Sequence, residues 1–415
     1  MKLPGPIVRS VLLVLICFGT LSVYVGRVVR VYRAQRDSDS LQADAVEHAI
    51  RLVPDDAEYP HMLGIRFSAS DQDDEAAIAN LRKAVALKPN SGRYWLDLAS
   101  VYQVTGNVEK QNEAVQAALA AEPGNPEIAA EAAQSYMVDG DVGHALPLFR
   151  QALAQNPDAA QTILPLCWHQ TQNASLILDE VIPDSPELQL AFLHLLTVRN
   201  EKHAADQVWQ YLVASHKSFS PQQSFFYFDY LIKQRDVESF DRAWHDLAGI
   251  APQMRAYLPS DNLIVNAGFE QPLLNSGFDW RHEPSEHISS GIDDKVAHSG
   301  FHSLSLTFDG GAAYLGGWAQ FVPVQPSTEY DFSAWVKSEN ITSSSGPRFA
   351  LVDAYSGVSL LLTDDILDTH PWQQIKGTFR VPADTALLTV QITRAPADTR
   401  IRGRVWIDDL RLVKR

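Results

Sequence analysis

Residues 262–271 read NLIVNAGFEQ, and the period of the chain changes there. Before this stretch the apolar positions recur every three to four residues, as on one helix face; after it they alternate, as on one strand face. HSLSLTF (302–308), WAQFVPV (318–324), EYDFSAWVK (329–337), QQIKGTFRVP (373–382), LLTVQITR (387–394) and GRVWIDDLRLV (403–413) keep the two-residue period. Turn formers separate them: HSG, VQPST, SSSGP, DTHPW and PAD. NLIVNAGFE itself reads as a first strand that stops at its Asn-Ala-Gly turn. Residues 258–415 are therefore predicted to form two β-sheets packed face to face.

Upstream, Pro54, Pro89, Pro123 and Pro157 close apolar helix ends in IRLVPDD, VALKPNS, LAAEPGN and LAQNPDA, at separations of 35, 34 and 34 residues. That is the length of a helix–turn–helix repeat. Trp95, Leu98, Ala99 and Tyr102 follow the order W-x2-L-G-x2-Y with Ala in the Gly place, Ala145-x3-Phe149 before Pro157 supplies the second half, and Gly106 and Gly140 fall in turns. Small residues let paired helices approach, and one hairpin cannot bury its apolar face alone, so hairpins stack. On these residues the segment 41–158 resembles tetratricopeptide repeat (TPR) proteins. Ala205-x3-Trp209, Phe240-x3-Trp244 and Pro252 carry a degenerate version to about residue 257. The resemblance implies a TPR solenoid that binds a protein partner on its concave face.

The order N-x-G-F-E (266–270), SGFHSLSL (299–306), QFVPVQPSTEYDFSAWVKS (320–338), WQQIKGTFRVP (372–382) and VWIDDLRL (405–412) resembles the jelly-roll, galactose-binding-like carbohydrate-binding modules appended to xylanases and cellulases. The resemblance implies a structural calcium ion, Ca2+, held by Glu270 and Asp408, with Asp409 as a substitute ligand. Hard oxygen donors suit that ion, and a carboxylate in the apolar setting VWIDDL needs a partner of some kind. The plainer alternative is that Asp408 hydrogen-bonds the neighbouring loop without metal. Sugar binding needs exposed aromatic faces. Tyr330, Trp335, Trp372 and Trp406 stand inside the fold-defining motifs and read as core. Tyr314 and Trp318 in DGGAAYLGGWAQ (309–320), and Tyr355 in DAYSG (353–357), read as exposed and are the candidate carbohydrate-binding residues.

At the amino terminus VLLVLICFGTLSVYVG (11–26) carries no charge; Lys2 and Arg9 precede it, and Arg27, Arg30, Arg33 and Arg36 follow. With its apolar flanks it is long enough to cross a bilayer core of about 30 Å, and no small-x-small cleavage site follows, so an uncleaved transmembrane helix is expected. The positive-inside rule alone would put the bulk of the chain in the cytoplasm. The sugar-binding resemblance favours a bacterial inner-membrane protein with its bulk periplasmic, and the arginines also suit lipid headgroups.

The net charge of −16 and the lack of a basic surface exclude a nucleic-acid partner. Cys17 and Cys167 make no disulfide framework. DQDDE (71–75) lacks the order of a calcium loop, His144, His169, His203 and His245 lack ligand spacing, and FFYFDY (225–230) reads as helix core. No G-x-S-x-G, P-loop, H-E-x-x-H or C-x-x-C motif occurs. A glycosidase would need two carboxylates across a cleft in a domain larger than any segment left over. The reading is a non-catalytic scaffold: anchor 1–36, TPR-like repeats 37–257, sandwich 258–415, serving exopolysaccharide assembly or export. The alternative is a cytoplasm-facing scaffold that binds proteins only; a carbohydrate-active enzyme is the outside reading.

Overall fold

The computed structural model describes residues 6–39, 42–71, 73–315 and 317–415; Lys2, Gln72 and Gly316 of the stretches above lie outside them. The chain divides into two compact units, Met1–Asp184 and Ser185–Arg415. The boundary expected at 258 falls inside the second.

The first unit is helical. An unbroken helix α1 (Pro6–Ser38) is followed by α2 (Ala43–Leu52), α3 (Glu58–Arg66), α4 (Asp74–Leu87), α5 (Gly92–Val104), α6 (Val108–Ala121), α7 (Pro126–Val138), α8 (Val142–Gln155), α9 (Ala160–Thr171) and α10 (Ala174–Glu180). The pairs α3–α4, α5–α6 and α7–α8 pack as hairpins. The second helix of each opens on a side-chain cap: Asp73, Asn107 and Asp141 accept the amides of Ala76, Lys110 and His144. Such caps satisfy amides that the first turn leaves unpaired. The glycine missing from the repeat order in α5 is present one repeat earlier. A Cβ on Gly64 would stand 2.6 Å from Leu81 Cγ, and the equivalent Ala99 is fully buried. The last turns of α1 belong to the same packing, with Ala34 in a cluster formed by Val46, Ala49, Val53, Tyr59 and Leu63. Residues Leu13–Ser38 of α1 are long and apolar enough to cross a membrane.

The second unit opens with α11 (Pro186–Val198), α12 (Lys202–Ala214), α13 (Phe225–Lys233) and α14 (Val237–Ile250). FFYFDY lies in α13, where Tyr227, Phe228 and Tyr230 are buried. Ten strands follow: β1 (Arg281–His282), β2 (Ile288–Asp293), β3 (Ser303–Ala312), β4 (Trp318–Pro323), β5 (Glu329–Thr342), β6 (Arg348–Asp353), β7 (Ser359–Leu362), β8 (Asp368–Arg380), β9 (Leu387–Thr393) and β10 (Arg400–Lys414). They form two antiparallel sheets, β1-β4-β9-β6-β7 and β2-β3-β10-β5-β8. Leu304, Leu306, Phe308, Phe332, Phe349, Val390, Val405 and Ile407 fill the space between them.

NLIVNAGFEQ is not the strand its apolar pattern suggests. Leu263 N–H donates to Leu412 O and Leu410 N–H to Ala267 O, but Asn266 and Phe269 take φ of 48° and 58°, and the left-handed turn breaks the ladder. Ile264 and Val265 are buried, and the Gln320 amide bonds both backbone groups of Val265 in place of a neighbouring strand.

Helices and sandwich share one core inside the second unit. Phe240 meets Phe278 at 4.2 Å between ring centroids, Trp244 meets it at 5.7 Å, Trp244 Nε1 donates to Tyr257 O, and Tyr257 Oη donates to Pro272 O. Gly277 has φ +59°, and a Cβ there would fall 2.0 Å from Trp244 Cζ3, so no larger residue fits.

Candidate functional site

The residues singled out for sugar contact divide on burial. Tyr314 lies on the β3–β4 connection and is 71% exposed. Its backbone is fixed: Ser285 Oγ donates to Tyr314 O, and Glu283 N–H donates to Gly317 O. Arg394, 3% exposed, anchors the same rim by donating to Ala313 O, Ser345 O, Ala397 O and Thr399 O. Burial lowers its pKa. One buried guanidinium thus ties three loops and holds the tyrosine ring outward on a stiff support. In the sequence Arg394 only closes LLTVQITR, which gives no hint of this role.

Trp318 is not exposed, which corrects the sequence expectation. It begins β4 with inward parity, beside Gln320 and Val322, and its ring packs against Phe269 and His282. WAQFVPV is apolar on both faces, so the alternation could not say which set points in. Tyr355 is half-buried: the Arg235 guanidinium lies 5.1 Å from its ring centre, and its hydroxyl is enclosed. Of the three candidates only Tyr314 presents a free face.

The set that points out from β4 was not anticipated. Pairing places Arg281, Ala319, Gln391 and Ala350 in one row across the sheet, and Phe321, Thr389 and Val352 in the next. The Arg281 guanidinium lies over the Phe321 ring at 5.1 Å and reaches Asp229 of α13 at 2.8 Å. An aromatic face beside a planar cation, amides and hydroxyls is the mixture that polar ring ligands need.

On the opposite sheet Trp406 and Trp335 stand on the outer face rather than between the layers. Trp406 is covered by Lys337 and Arg404 at 5.0 and 5.4 Å, and donates to Asp293. His298 stacks on Trp335 at 3.9 Å, with Trp372 at its edge.

Glu270, Asp408 and Asp409 are drawn together around Gly268, where a Cβ would touch all three side chains. Their oxygens are taken up by hydrogen donors. Glu270 accepts the amides of Phe301 and His302 and pairs with the His302 ring; Asp408 accepts the amides of His298, Ser299 and Asp409; Asp409 pairs with the His298 ring and accepts from Ser299 Oγ. Burial pushes the Asp408 carboxyl up against those amides, with Asp409 adding to the rise. At Glu270 burial is outweighed by its amide and imidazole donors, and the carboxyl lies below its ordinary value. Among the described residues no group of three or more His, Cys, Asp or Glu is arranged to hold a metal. In this arrangement the carboxylates clamp the 296–302 loop to β10 and to the 266–270 turn.

In the first unit a polar ladder joins successive first helices of the repeats. Tyr94 donates to Glu58, His61 pairs with Asp97 at 2.7 Å, Arg93 bridges Asp97 and Glu131, and Gln103 donates to Asp139. Residues 41–184 hold 8 Lys/Arg against 21 Asp/Glu, a net −13 out of the −16 for the whole chain.

A family model described as a carbohydrate binding domain matches residues 261–399. A solved structure described as "CBM4 structure and function" is similar at 13% identity over 37% of this chain and 99% of its own, with a TM-score of 0.28. The helical region is similar to MamA, at 24% identity over 29% of this chain and 69% of that one (TM-score 0.25). It is also similar to pilF of Pseudomonas aeruginosa, at 14% over 55% and 91% (TM-score 0.28). No curated protein matches the chain.

Proposed function

We propose that the chain is a membrane-anchored, non-catalytic adaptor of the bacterial envelope. Its sandwich binds a polysaccharide, its acidic TPR-like array holds a protein partner, and the pair serves exopolysaccharide assembly or export. The carbohydrate-binding-domain match over 261–399 carries this reading. The chemistry supports it: Tyr314 offers an exposed ring on a rim fixed by Arg394, and the outer rows of β1, β4 and β9 offer Arg281, Phe321, Thr389 and Gln391. A sugar ring would stack its CH face on an aromatic while the amides and guanidinium take its hydroxyls. Both regions read as binding domains, and α1 supplies the anchor with the bulk periplasmic.

The test is retention of soluble polysaccharides by the detergent-solubilised full chain. Binding weakened tenfold or more by Tyr314→Ala or Phe321→Ala is the expected result; retention of no glycan at all overturns sugar binding. A protein-only scaffold is the second reading, favoured by the Arg281–Asp229 bond, which commits part of the sheet face to α13. A reporter fused to the carboxyl terminus that is active only in the cytosol would overturn the periplasmic assignment.

A further inference from the structure

Helix α1 runs without a break from the apolar segment into the packing of the first hairpin. Leu13, Val14, Leu15, Phe18, Leu21, Val23 and Tyr24 are all exposed along it, as side chains meant for lipid would be. Arg27, Arg30, Arg33 and Arg36 follow within the next three turns. At 3.6 residues per turn they spread over about half the circumference, with Arg27 and Arg30 toward the side of Ala34 and Arg33 and Arg36 turned away.

Pairing separates Arg27 from the other three. Arg27 reaches Asp55, in the connection after α2, at 3.6 Å. Among the described residues no carboxylate pairs with Arg30, Arg33 or Arg36, although they border an array with a net charge of −13. Three arginines without a carboxylate partner beside so much acid, Arg30 bonded only to Gly26 O through Nε, are placed for an anion outside the chain. Height along the helix identifies it. From Gly26, the end of the uncharged run, to Ala34 is eight residues, about 12 Å at 1.5 Å per residue. A headgroup layer is roughly 5–8 Å thick, from the difference between the whole bilayer and its core. Arg27 and Arg30 therefore stand within the headgroup layer, while Arg33 and Arg36, about 10 and 15 Å above Gly26, reach back to it because helix side chains lean toward the amino terminus and arginine stems are long; Asp55, paired with Arg27, falls at the same level.

We propose that Arg30, Arg33 and Arg36 form a collar that binds anionic phospholipid headgroups, and that the α2–α3 connection rests on the membrane surface. The last turns of α1 are already part of the array's packing. This rests on α1 being a membrane span.

The full chain is reconstituted into bilayers of phosphatidylcholine and phosphatidylglycerol. Spin-labelled lipid of each kind then reports which one is held at the protein boundary. Several-fold preference for phosphatidylglycerol, reduced towards equality in the Arg30→Gln/Arg33→Gln/Arg36→Gln variant, is the expected result; equal retention by the unaltered chain overturns the collar. For the second half, a fluorophore on Asp55→Cys in a Cys17→Ser background should be quenched by a quencher tethered to headgroups. An unquenched label in an inserted chain overturns the surface placement. Insertion is read separately, by flotation with vesicles resistant to alkaline wash. A chain that fails to float overturns the span itself and the collar with it, whereas a floating chain without lipid preference overturns the collar alone.

Discussion

The hairpins of the first unit and those of the second are built on the same small–large spacing and put it to different uses. In α3–α8 the buried large residues are separated by alanines: Ala99, Ala114, Ala132, Ala145 and Ala152 are at or near zero exposure, and one hairpin seats on the next. In α11–α14 the largest fully buried side chains are Phe192, Trp209, Tyr227, Phe228, Phe240 and Trp244. Two of these, Phe240 and Trp244, close on the sandwich segment 277–278 rather than on another hairpin. The charge differs as well: residues 185–257 hold 7 Lys/Arg and 8 Asp/Glu, nearly neutral beside the −13 of 41–184. A repeat signal decays where helices stop packing on copies of themselves. Fading periodicity along 185–257 is thus the mark of an interface with a partner of irregular shape.

The comparison breaks most directly at Trp244. Trp244→Ala should cost roughly 3–5 kcal/mol by cavity formation and weaken helices and sandwich together, while Phe149→Ala in α8 should cost a similar amount and leave the second unit's melting transition unmoved. Near-ultraviolet circular dichroism during melting reads both. A fragment 258–415 that melts as cooperatively and as high as 185–415 would show that the shared core contributes nothing.

Acidity gives the next effect. Asp279 is fully buried, and burial raises its pKa to about 6 despite amide donors at Leu274 and Trp280 and the Asn266 side chain. Its native pKa lies above its ordinary value, so the folded state holds the proton more tightly and stability falls as pH rises from about 4 to 6. Relative to the parent, Asp279→Asn should gain stability across that window, by at most about 3 kcal/mol from the size of the shift. Urea titration at pH 4 and pH 7 checks it, and a difference that does not grow with pH contradicts the assignment.

Helix caps sharpen the contrast between the two regions. Asn107→Ala should cost about 1 kcal/mol. Asp236→Ala should cost more, because Asp236 also pairs with Lys202 at 2.7 Å while capping α14 at Ser239. Smallest of all is calcium: with Glu270, Asp408 and Asp409 engaged by hydrogen donors, adding the ion or a chelator should leave the melting curve unchanged. A rise in melting temperature with calcium would instead support the metal site implied by N-x-G-F-E and VWIDDL.

The change of period near 262 was legible, and so were β3, β4, β5, β8, β9 and β10, because each alternates. β6 and β7 were not: RFALVD and SLLL have no clean alternation, and in ISSGID of β2 small polar residues occupy the face that should carry the signal. Parity was the other blind spot. It moved Trp318 inward and Trp406 outward, and it hid Phe321, since a strand apolar on both sides carries no sign of which is which. Loop-pinning by Arg394 depends on contacts up to 81 residues apart in the chain, which no local pattern encodes.

The unbroken course of α1 has a mechanical corollary. A flexible tether would let the array sweep a hemisphere and meet partners at any height. If α1 is the membrane span proposed above, a stiff helix whose last turns pack into the first hairpin would fix both altitude and azimuth, and tilting or turning it would swing that hairpin like a crank. In that setting whatever docks beside it would have to come to the bilayer, and a rearrangement of the membrane around α1 would be felt at once by the protein above.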